Sequence, residues 1–366
     1  MVSEPFENAD KTGRSTAIWA LTPNAARLAG EIGRQLPEAK RFLSGKLPPD
    51  LCRGARCFDR LQPTVQAEFE NFRQHIFIMA TGIVVRMIAP CIRNKTVDPA
   101  VVVADEAGRY VISLLSGHIG GANELARQIA DLTGTEPVIT TATDVNQVLA
   151  IDEVARNKNL RIENPGAIKI VNMSLVTGKT IWLHDPHGHL HDAVQQTPSL
   201  RPAESPIQAG VSASPLPEPG VFIDDTRTDL PEGILVLRPP SLAAGIGCNR
   251  NTSMNEIQDL LCRTFDQAGL SLLSLRCLAS IDVKHDEKGL LALADTLDLP
   301  LRFFNREELN RVETIQNPSD IVERHVGVKS VCEAAAILAA DNGELIVTKQ
   351  TTPNVTLAVA RQPSMW

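Results

Sequence analysis

The chain has 366 residues, of which 43% are apolar and 22% charged, with a formal net charge of −7. That length implies two or three domains, and the apolar share is enough for ordinary buried cores, which excludes global disorder. The acidic balance disfavours nucleic acid and anionic membranes as partners, but leaves room for a pocket that gathers a few positive groups around a small anion.

In chain order, the first strand is expected over 16–22. After Pro23 a helical pattern runs through Ala26, Leu28, Ile32 and Leu36; proline suits a first helical position, where its missing N–H leaves nothing unpaired. A polar stretch with Pro48-Pro49 precedes a helix near 65–72. A short buried strand at 76–80 ends at Thr81-Gly82 and switches into a helix at 83–88, stopped by Pro90. Strands follow at 101–104 and 110–115, with the turn Asp105-Glu106-Ala107-Gly108 between them. Ser116-Gly117-His118-Ile119-Gly120-Gly121 then opens a helix carrying Leu125, Ile129 and Leu132 on one face, and 137–141 is another strand. Strands alternating with helices imply a largely parallel sheet, so 14–160 reads as an N-terminal α/β domain.

After a helix at 148–158 the character changes. A small middle segment, 161–240, shows strand-like pieces at 180–183, 221–223 and 234–237. Within it, 195–220 is rich in Pro, Ser and Ala and lacks periodicity, as expected of a linker or long exposed loop. From 241 a second alternating unit begins, with strands at 242–246, 272–281, 345–347 and 355–360 and helices starting near 253, 286 and 330. The stretch 241–366 therefore reads as a compact C-terminal α/β domain.

In open α/β sheets ligands bind beyond the carboxyl ends of strands, where helix N-termini offer free N–H groups. Four such junctions occur: Thr81-Gly82, Ser116 to Gly121, Thr140 to Asp144, and Gly245 to Ser253. The Ser116 junction is the most unusual, because Gly117, Gly120 and Gly121 free the backbone around His118, a residue able to transfer a proton near neutral pH. Taken alone it reads first as a glycine-eased turn with an incidental histidine, and it does not match the G-x-G-x-x-G register. Asp144 reads as a helix cap, or as a partner of His118 if the two strand ends are neighbours. Ser253-x-x-Glu256 and Ser330-x-x-Glu333 read as capping boxes. Lys284 lies among carboxylates at a strand end, where ion pairing is the plain alternative. His184, His187, His189 and His191 crowd one Gly- and Pro-containing loop, which reads as a solvated loop with at most fortuitous metal affinity.

Residues 1–13 are polar and acidic with no signal-peptide core, and no apolar run approaches the roughly 18 residues that span a bilayer, so a cytoplasmic protein is expected. The seven cysteines are scattered, and Cys52 and Cys57 have no second pair, so reduced thiols are expected.

Several strings in family order resemble the cobalt-precorrin-5A hydrolases of anaerobic cobalamin synthesis. They are Ala80-Thr81-Gly82-Ile83-Val84-Val85-Arg86, Leu114-Leu115-Ser116-Gly117-His118-Ile119-Gly120-Gly121-Ala122-Asn123-Glu124-Leu125-Ala126, and Pro137-Val138-Ile139-Thr140-Thr141-Ala142-Thr143-Asp144. Gly245-Ile246-Gly247-Cys248, Ala279-Ser280-Ile281-Asp282, Lys284 and Val355-Thr356-Leu357-Ala358-Val359-Ala360 continue them. The likeness is weakest across 161–240; the Pro-rich insert and the histidine run depart from it.

The resemblance implies opening of the δ-lactone of a cobalt tetrapyrrole and release of the extruded carbon with its methyl as acetaldehyde. On that footing His118 is expected as general acid or base, with Glu124 or Asp144 orienting it or moving a second proton. The Gly120 and Gly121 amides would then form the oxyanion site. Thr81, Gly82, Arg86, Gly117, Asn123, Thr140, Thr141, Gly247, Cys248 and Lys284 are the expected substrate-binding residues, the cationic ones for acetate and propionate arms. No protein-bound metal or cofactor is expected, because the substrate carries the cobalt. The expected partners are that substrate, neighbouring pathway enzymes and a second copy of the chain, with no nucleic acid or membrane. The alternative is a tetrapyrrole carrier that binds without cleaving; a dinucleotide-binding enzyme is more distant.

Overall fold

The computed structural model describes residues 16–94, 97–146, 148–203, 217–318 and 327–363. The chain divides into two compact units, the first ending at Arg156 and the second beginning at Asn157.

In the first unit the elements are β1 (Thr16–Ala20), α1 (Pro23–Gln35), β2 (Lys40–Ser44), β3 (Arg56–Phe58), α2 (Leu61–Glu68), β4 (Gln74–Ile78) and α3 (Thr81–Ile88). They continue with β5 (Ala100–Ala104), β6 (Tyr110–Leu115), α4 (Ala122–Thr133), β7 (Glu136–Val138), α5 (Ala142–Val145) and α6 (Ile151–Asn157). Thr22 caps α1 by accepting from the Ala25 amide at 3.2 Å, with Pro23 in the first helical position. The seven strands lie in the order β3-β2-β1-β4-β5-β6-β7. β1 and β4 are buried throughout or nearly so, as strands covered on both faces must be. One face of the core stacks Trp19 on Phe42 at 4.2 Å and on Phe77 at 5.8 Å. His75 is fully buried there; its Nδ1 accepts from Trp19 Nε1 at 3.1 Å and its Nε2 meets the Phe69 carbonyl at 3.0 Å. Burial pulls its pKa down to about 4, so it is a neutral core residue.

The sheet is not parallel throughout. β1 to β5 run one way, β6 runs antiparallel to β5, and β7 is parallel to β6. The five-residue connection after β5 forces this, because a connection that short joins only antiparallel strands. The Asp105 carboxylate fixes it by accepting from the amides of Ala107, Arg109 and Tyr110. Leu115 pairs with Val101, which pairs with His75 near the start of β4. Ser116 therefore leaves the sheet at the end where β4 begins, while Thr81 leaves at the end where β4 finishes. The two junctions, both expected to bind substrate, therefore lie at opposite ends of the sheet.

The second unit holds two five-stranded sheets. The middle segment contributes β8 (Arg161–Ile162), α7 (Ile168–Val176), β9 (Ile181–His184), α8 (His191–Gln196), β10 (Leu200–Pro202), β11 (Gly220–Ile223) and β12 (Ile234–Arg238), in the strand order β10-β9-β11-β12-β8. Among the described strands of this sheet, only β8 is antiparallel to its neighbour. The stretch expected to be aperiodic thus begins with the end of α8 and the sheet strand β10; residues 204–216 lie outside those described.

The last sheet is built from β13 (Leu242–Cys248), α9 (Met254–Gln267), β14 (Leu275–Ile281), α10 (Lys288–Thr296), β15 (Leu301–Phe304), α11 (Arg306–Asn310), α12 (Val331–Ala339), β16 (Glu344–Thr351) and β17 (Val355–Arg361), ordered β15-β14-β13-β17-β16. The fully buried Asp225, just after β11, ties the two sheets together. It takes two 2.7 Å bonds from the Arg361 guanidinium and one of 2.8 Å from Ser241.

All seven cysteines are free. Among the described residues no helix is long and apolar enough to cross a membrane.

Candidate active site

The loop between β6 and α4 is a tight bend that returns on itself. The Ala122 and Asn123 amides donate to the Ser116 and Gly117 carbonyls at 3.1 and 3.0 Å, and the Gly121 amide donates to the His118 carbonyl at 3.0 Å. Such closure leaves no room for side chains. A Cβ on Gly120 would lie 2.4 Å from Ser116 Cβ, and Gly121 caps the helix in the left-handed region at φ 86°. Because the Gly121 N–H is already engaged, it is not the open oxyanion donor expected of it. The Gly120 and Glu124 amides have no acceptor among the described residues.

The bend delivers His118 into a charged network. Its Nε2 lies 3.1 Å from Thr143 Oγ1 and 3.6 Å from Asp144 Oδ2, while its Nδ1 lies 3.5 Å from Glu153 Oε2. Nδ1 is buried and makes no aligned hydrogen bond, so its relation to Glu153 is that of an ion pair. Arg127 spans the two acids, contacting Asp144 and lying 3.6 Å from Glu153. Asp144 is further fixed by Asn123 Nδ2, at 3.0 Å, and by the Thr141 hydroxyl. Asn123 is fully buried and also receives the Ser113 hydroxyl at 2.7 Å, which anchors α5 to β6 and the start of α4.

This environment favours the imidazolium. The Glu153 carboxylate is the largest influence holding the His118 pKa above its ordinary 6.5; burial opposes it, and Asp152 and Asp144 add to the rise. Reciprocally, His118 holds Glu153 below the usual carboxylate range. A ring with an acid at each nitrogen is poised to give up a proton rather than to take one.

His118, Asp144 and Glu153 each place one ligand-type atom within 4.8 Å of the others. A cation there would bind only one ring nitrogen, whereas the two acids stand at different nitrogens and Arg127 already matches their charge. The donor set fits a proton-holding network better than a metal centre.

Glu124, expected beside His118, instead pairs with Arg156 at 2.7 Å and is 44% exposed. The acid at Nδ1 is Glu153, which the sequence reading missed: it follows the strand ends by a whole segment, and only the reversal of β6 and β7 brings α6 to the loop. Thr141 belongs to the network, while Thr140 is exposed and outside it.

Thr81 and Gly82 open α3 at the far end of the sheet, and Arg86, in its last turn, donates to the Gly82 carbonyl at 3.1 Å. In the second unit Gly247 and Cys248 end β13. Lys284 there lies 3.5 Å from the buried Glu287, so its charge is already matched. Of the two expected capping boxes, Ser253 and Ser330 do cap their helices. The carboxylates of Glu256 and Glu333 turn elsewhere, Glu333 to the Gln316, Asn317 and Lys349 amides.

Three family models match in sequence. They are described as cobalamin synthesis G N-terminal over 63–144, cobalamin biosynthesis central region over 149–239, and cobalamin synthesis G C-terminus over 242–360. The matches put the chain in the class of cobalamin-synthesis G proteins; Asp144 and Glu153 come from different matched segments. The chain is 34% identical over 364 residues to the cobalt-precorrin-5A hydrolase of Priestia megaterium, covering 95% of each. It is 38% identical over 357 residues to that of Salmonella typhimurium, covering 94% of this chain and 98% of the relative. The chain belongs to the cobalt-precorrin-5A hydrolase family. One part, 32% of the chain, is also 34% identical over 121 residues to protein CobE of Sinorhizobium sp., covering 79% of that protein.

Proposed function

We propose that the chain hydrolyses cobalt-precorrin-5A, opening its δ-lactone and releasing acetaldehyde. The observation that carries this reading is the full-length likeness to two hydrolases of that name, and the His118 network supplies the chemistry. Water adds to the lactone carbonyl and the acyl–oxygen bond breaks, leaving a carboxylate and an alkoxide. The alkoxide collapses to the aldehyde, the carbon–carbon pair passes to the macrocycle, and a proton is taken up there.

His118, held as the imidazolium between Asp144 and Glu153, is the acid in this scheme. Glu153 sets its charge, and Asn123, Thr141 and Arg127 hold Asp144 in place. The free Gly120 and Glu124 amides at the start of α4 are the donors for the oxyanion. No cofactor of the protein's own enters the scheme, since cobalt arrives with the substrate. The free thiols support action in a reducing cytoplasm.

The test is acetaldehyde release from cobalt-precorrin-5A under anaerobic conditions. Wild type should release one equivalent, and His118→Ala should be slower by a factor of about 10² to 10⁴. Substrate binding without any release by wild type would instead identify a carrier.

A further inference from the structure

The first unit also holds a cationic groove that takes no part in this scheme. It runs between α1 and the turns that precede β3, and its volume is about 520 Å³, within the range of about 300–1,000 Å³ usual for small-molecule sites. Arg27, Arg34, Arg41 and Arg53 line it, with Glu31 and Asp50 as the acids of the lining. Among the described residues none of the four arginines stands within ion-pair distance of a carboxylate. Their bonds go to neutral acceptors: Arg27 to the Asn24 side chain at 2.8 Å, Arg34 to the Gly30 carbonyl at 3.4 Å, and Arg41 to the Arg53 carbonyl at 2.8 Å. The chain as a whole has 43 acidic and 36 basic residues, so four unmatched guanidinium groups around one groove run against its balance. They repel one another, and an anion placed among them offsets that repulsion.

Arg41 is seated rather than loose. It leaves β2 and lies along α1, where a Cβ on Gly33 would stand 3.1 Å from its Cδ. Glycine inside a helix costs stability; here it lets the arginine stem lie against the helix. On the other side a Cβ on Gly54, at φ 69°, would come within 3.4 Å of Nη2. The half-buried guanidinium is thus held in place, while Arg27, Arg34 and Arg53 are exposed and open to a ligand. No aromatic side chain lines the groove, so it offers charge and no face for a stacked base.

The groove is distinct from the His118 network. Arg41 and Ser113 lie in one row across the sheet, through Ile18, Ile76 and Val102. Four strand spacings, about 19 Å, separate them, and Ser113 is the residue that anchors Asn123 beside His118.

We propose that this groove binds a ligand through two or more of its carboxylates, the acetate and propionate arms of a tetrapyrrole whose ring lies outside. The assignment to a tetrapyrrole rests on the reading of the chain as acting on one; a free polycarboxylate would be held by the same chemistry.

The probes are uroporphyrin III, which bears an acetate and a propionate on every pyrrole ring, citrate, and inorganic phosphate. Each is added to the full-length protein before brief treatment with phenylglyoxal, which modifies accessible arginines, and peptide mass spectrometry reads each arginine separately. Uroporphyrin III should protect Arg27, Arg34 and Arg53, while Arg227, which pairs with Asp266 in the second unit, keeps reacting. Arg41→Gln should raise the half-protecting concentration by about tenfold or more.

Protection by uroporphyrin III at lower concentration than citrate supports the tetrapyrrole; the reverse order overturns that assignment in favour of a free polycarboxylate. Protection by neither overturns the site itself. So does protection that survives Arg41→Gln, that extends equally to Arg227, or that phosphate gives as well. Acetaldehyde release from cobalt-precorrin-5A by the same preparation tests the hydrolase reading separately. Release without protection sinks this inference alone, and protection without release sinks the hydrolase reading alone.

Discussion

Glu153 Oε2 stands 3.5 Å from His118 Nδ1, at the ring nitrogen opposite the one that faces Asp144. This pairing, rather than the histidine alone, determines which protonation state the site presents near neutral pH. Because Glu153 is the largest influence raising the His118 pKa, Glu153→Gln should move the alkaline limb of kcat/KM to lower pH. Glu124→Gln should leave that limb in place, since Glu124 pairs with Arg156. A pH–rate profile of acetaldehyde release for the two variants checks both outcomes.

Arg127 supplies a prediction of opposite sign. It balances Asp144 and Glu153, so Arg127→Ala leaves more uncompensated negative charge around the imidazole. The alkaline limb should then move to higher pH, and an unchanged or lowered limb would contradict this charge network.

The same pair makes stability depend on pH. His118 has a folded pKa raised above 6.5, so its contribution is complete below that value and is lost as pH rises through the folded pKa. Glu153 is depressed below 4.5, so its contribution is complete above that value and is lost as pH falls through the folded pKa. The difference in Tm between wild type and Glu153→Gln should therefore be largest between pH 4.5 and 6.5 and shrink on either side. Thermal unfolding across that range measures it.

Two substitutions test packing. Gly120→Ala places its Cβ 2.4 Å from Ser116 Cβ and 2.9 Å from the Ser116 carbonyl oxygen, part of which is backbone and resists displacement. It should destabilise the first unit by about 1–3 kcal/mol in chemical denaturation.

Asp225→Ala strands the Arg361 guanidinium between the middle and last sheets. Because Arg361 keeps 24% exposure, the loss should be near the lower end for a broken buried pair, about 3 kcal/mol. A loss below about 1 kcal/mol would mean the bond does not join the two sheets.

Much of the fold was legible. The apolar periodicities gave β1, α1, β4, α4, α9 and β17 to within a few residues, since each hides an unmixed apolar face. The strands β2, β3, β8, β10 and β15 and the helices α5, α7, α8 and α11 were missed. β3, β8 and β10 have only three, two and three residues, too few for a period to show. The first sheet is mainly parallel, as expected; its one antiparallel pair, β5 with β6, was not anticipated although the tight connection at Asp105 carried the information. At the candidate site, the glycine string marked the loop that carries His118, and Asp144 lies beside that histidine as the neighbouring strand ends allowed. Glu153 gave no local sign, because its proximity to His118 depends on how α6 returns after the reversed strands. The histidine run, expected in solvent, has His184 at 5% exposure; a strand-ending histidine covered by its own loop looks in sequence like a polar turn.

The reversal of β6 and β7 also has a colloidal consequence. β5 is buried along its whole length, and β6 covers the hydrogen-bonding edge that would otherwise be open. An uncovered apolar edge of this kind is a template for pairing with other chains. The segment that carries His118 therefore doubles as the sheet's guard strand. Damage that loosens it should show first as turbidity and loss of soluble protein, before any folded but inactive species accumulates.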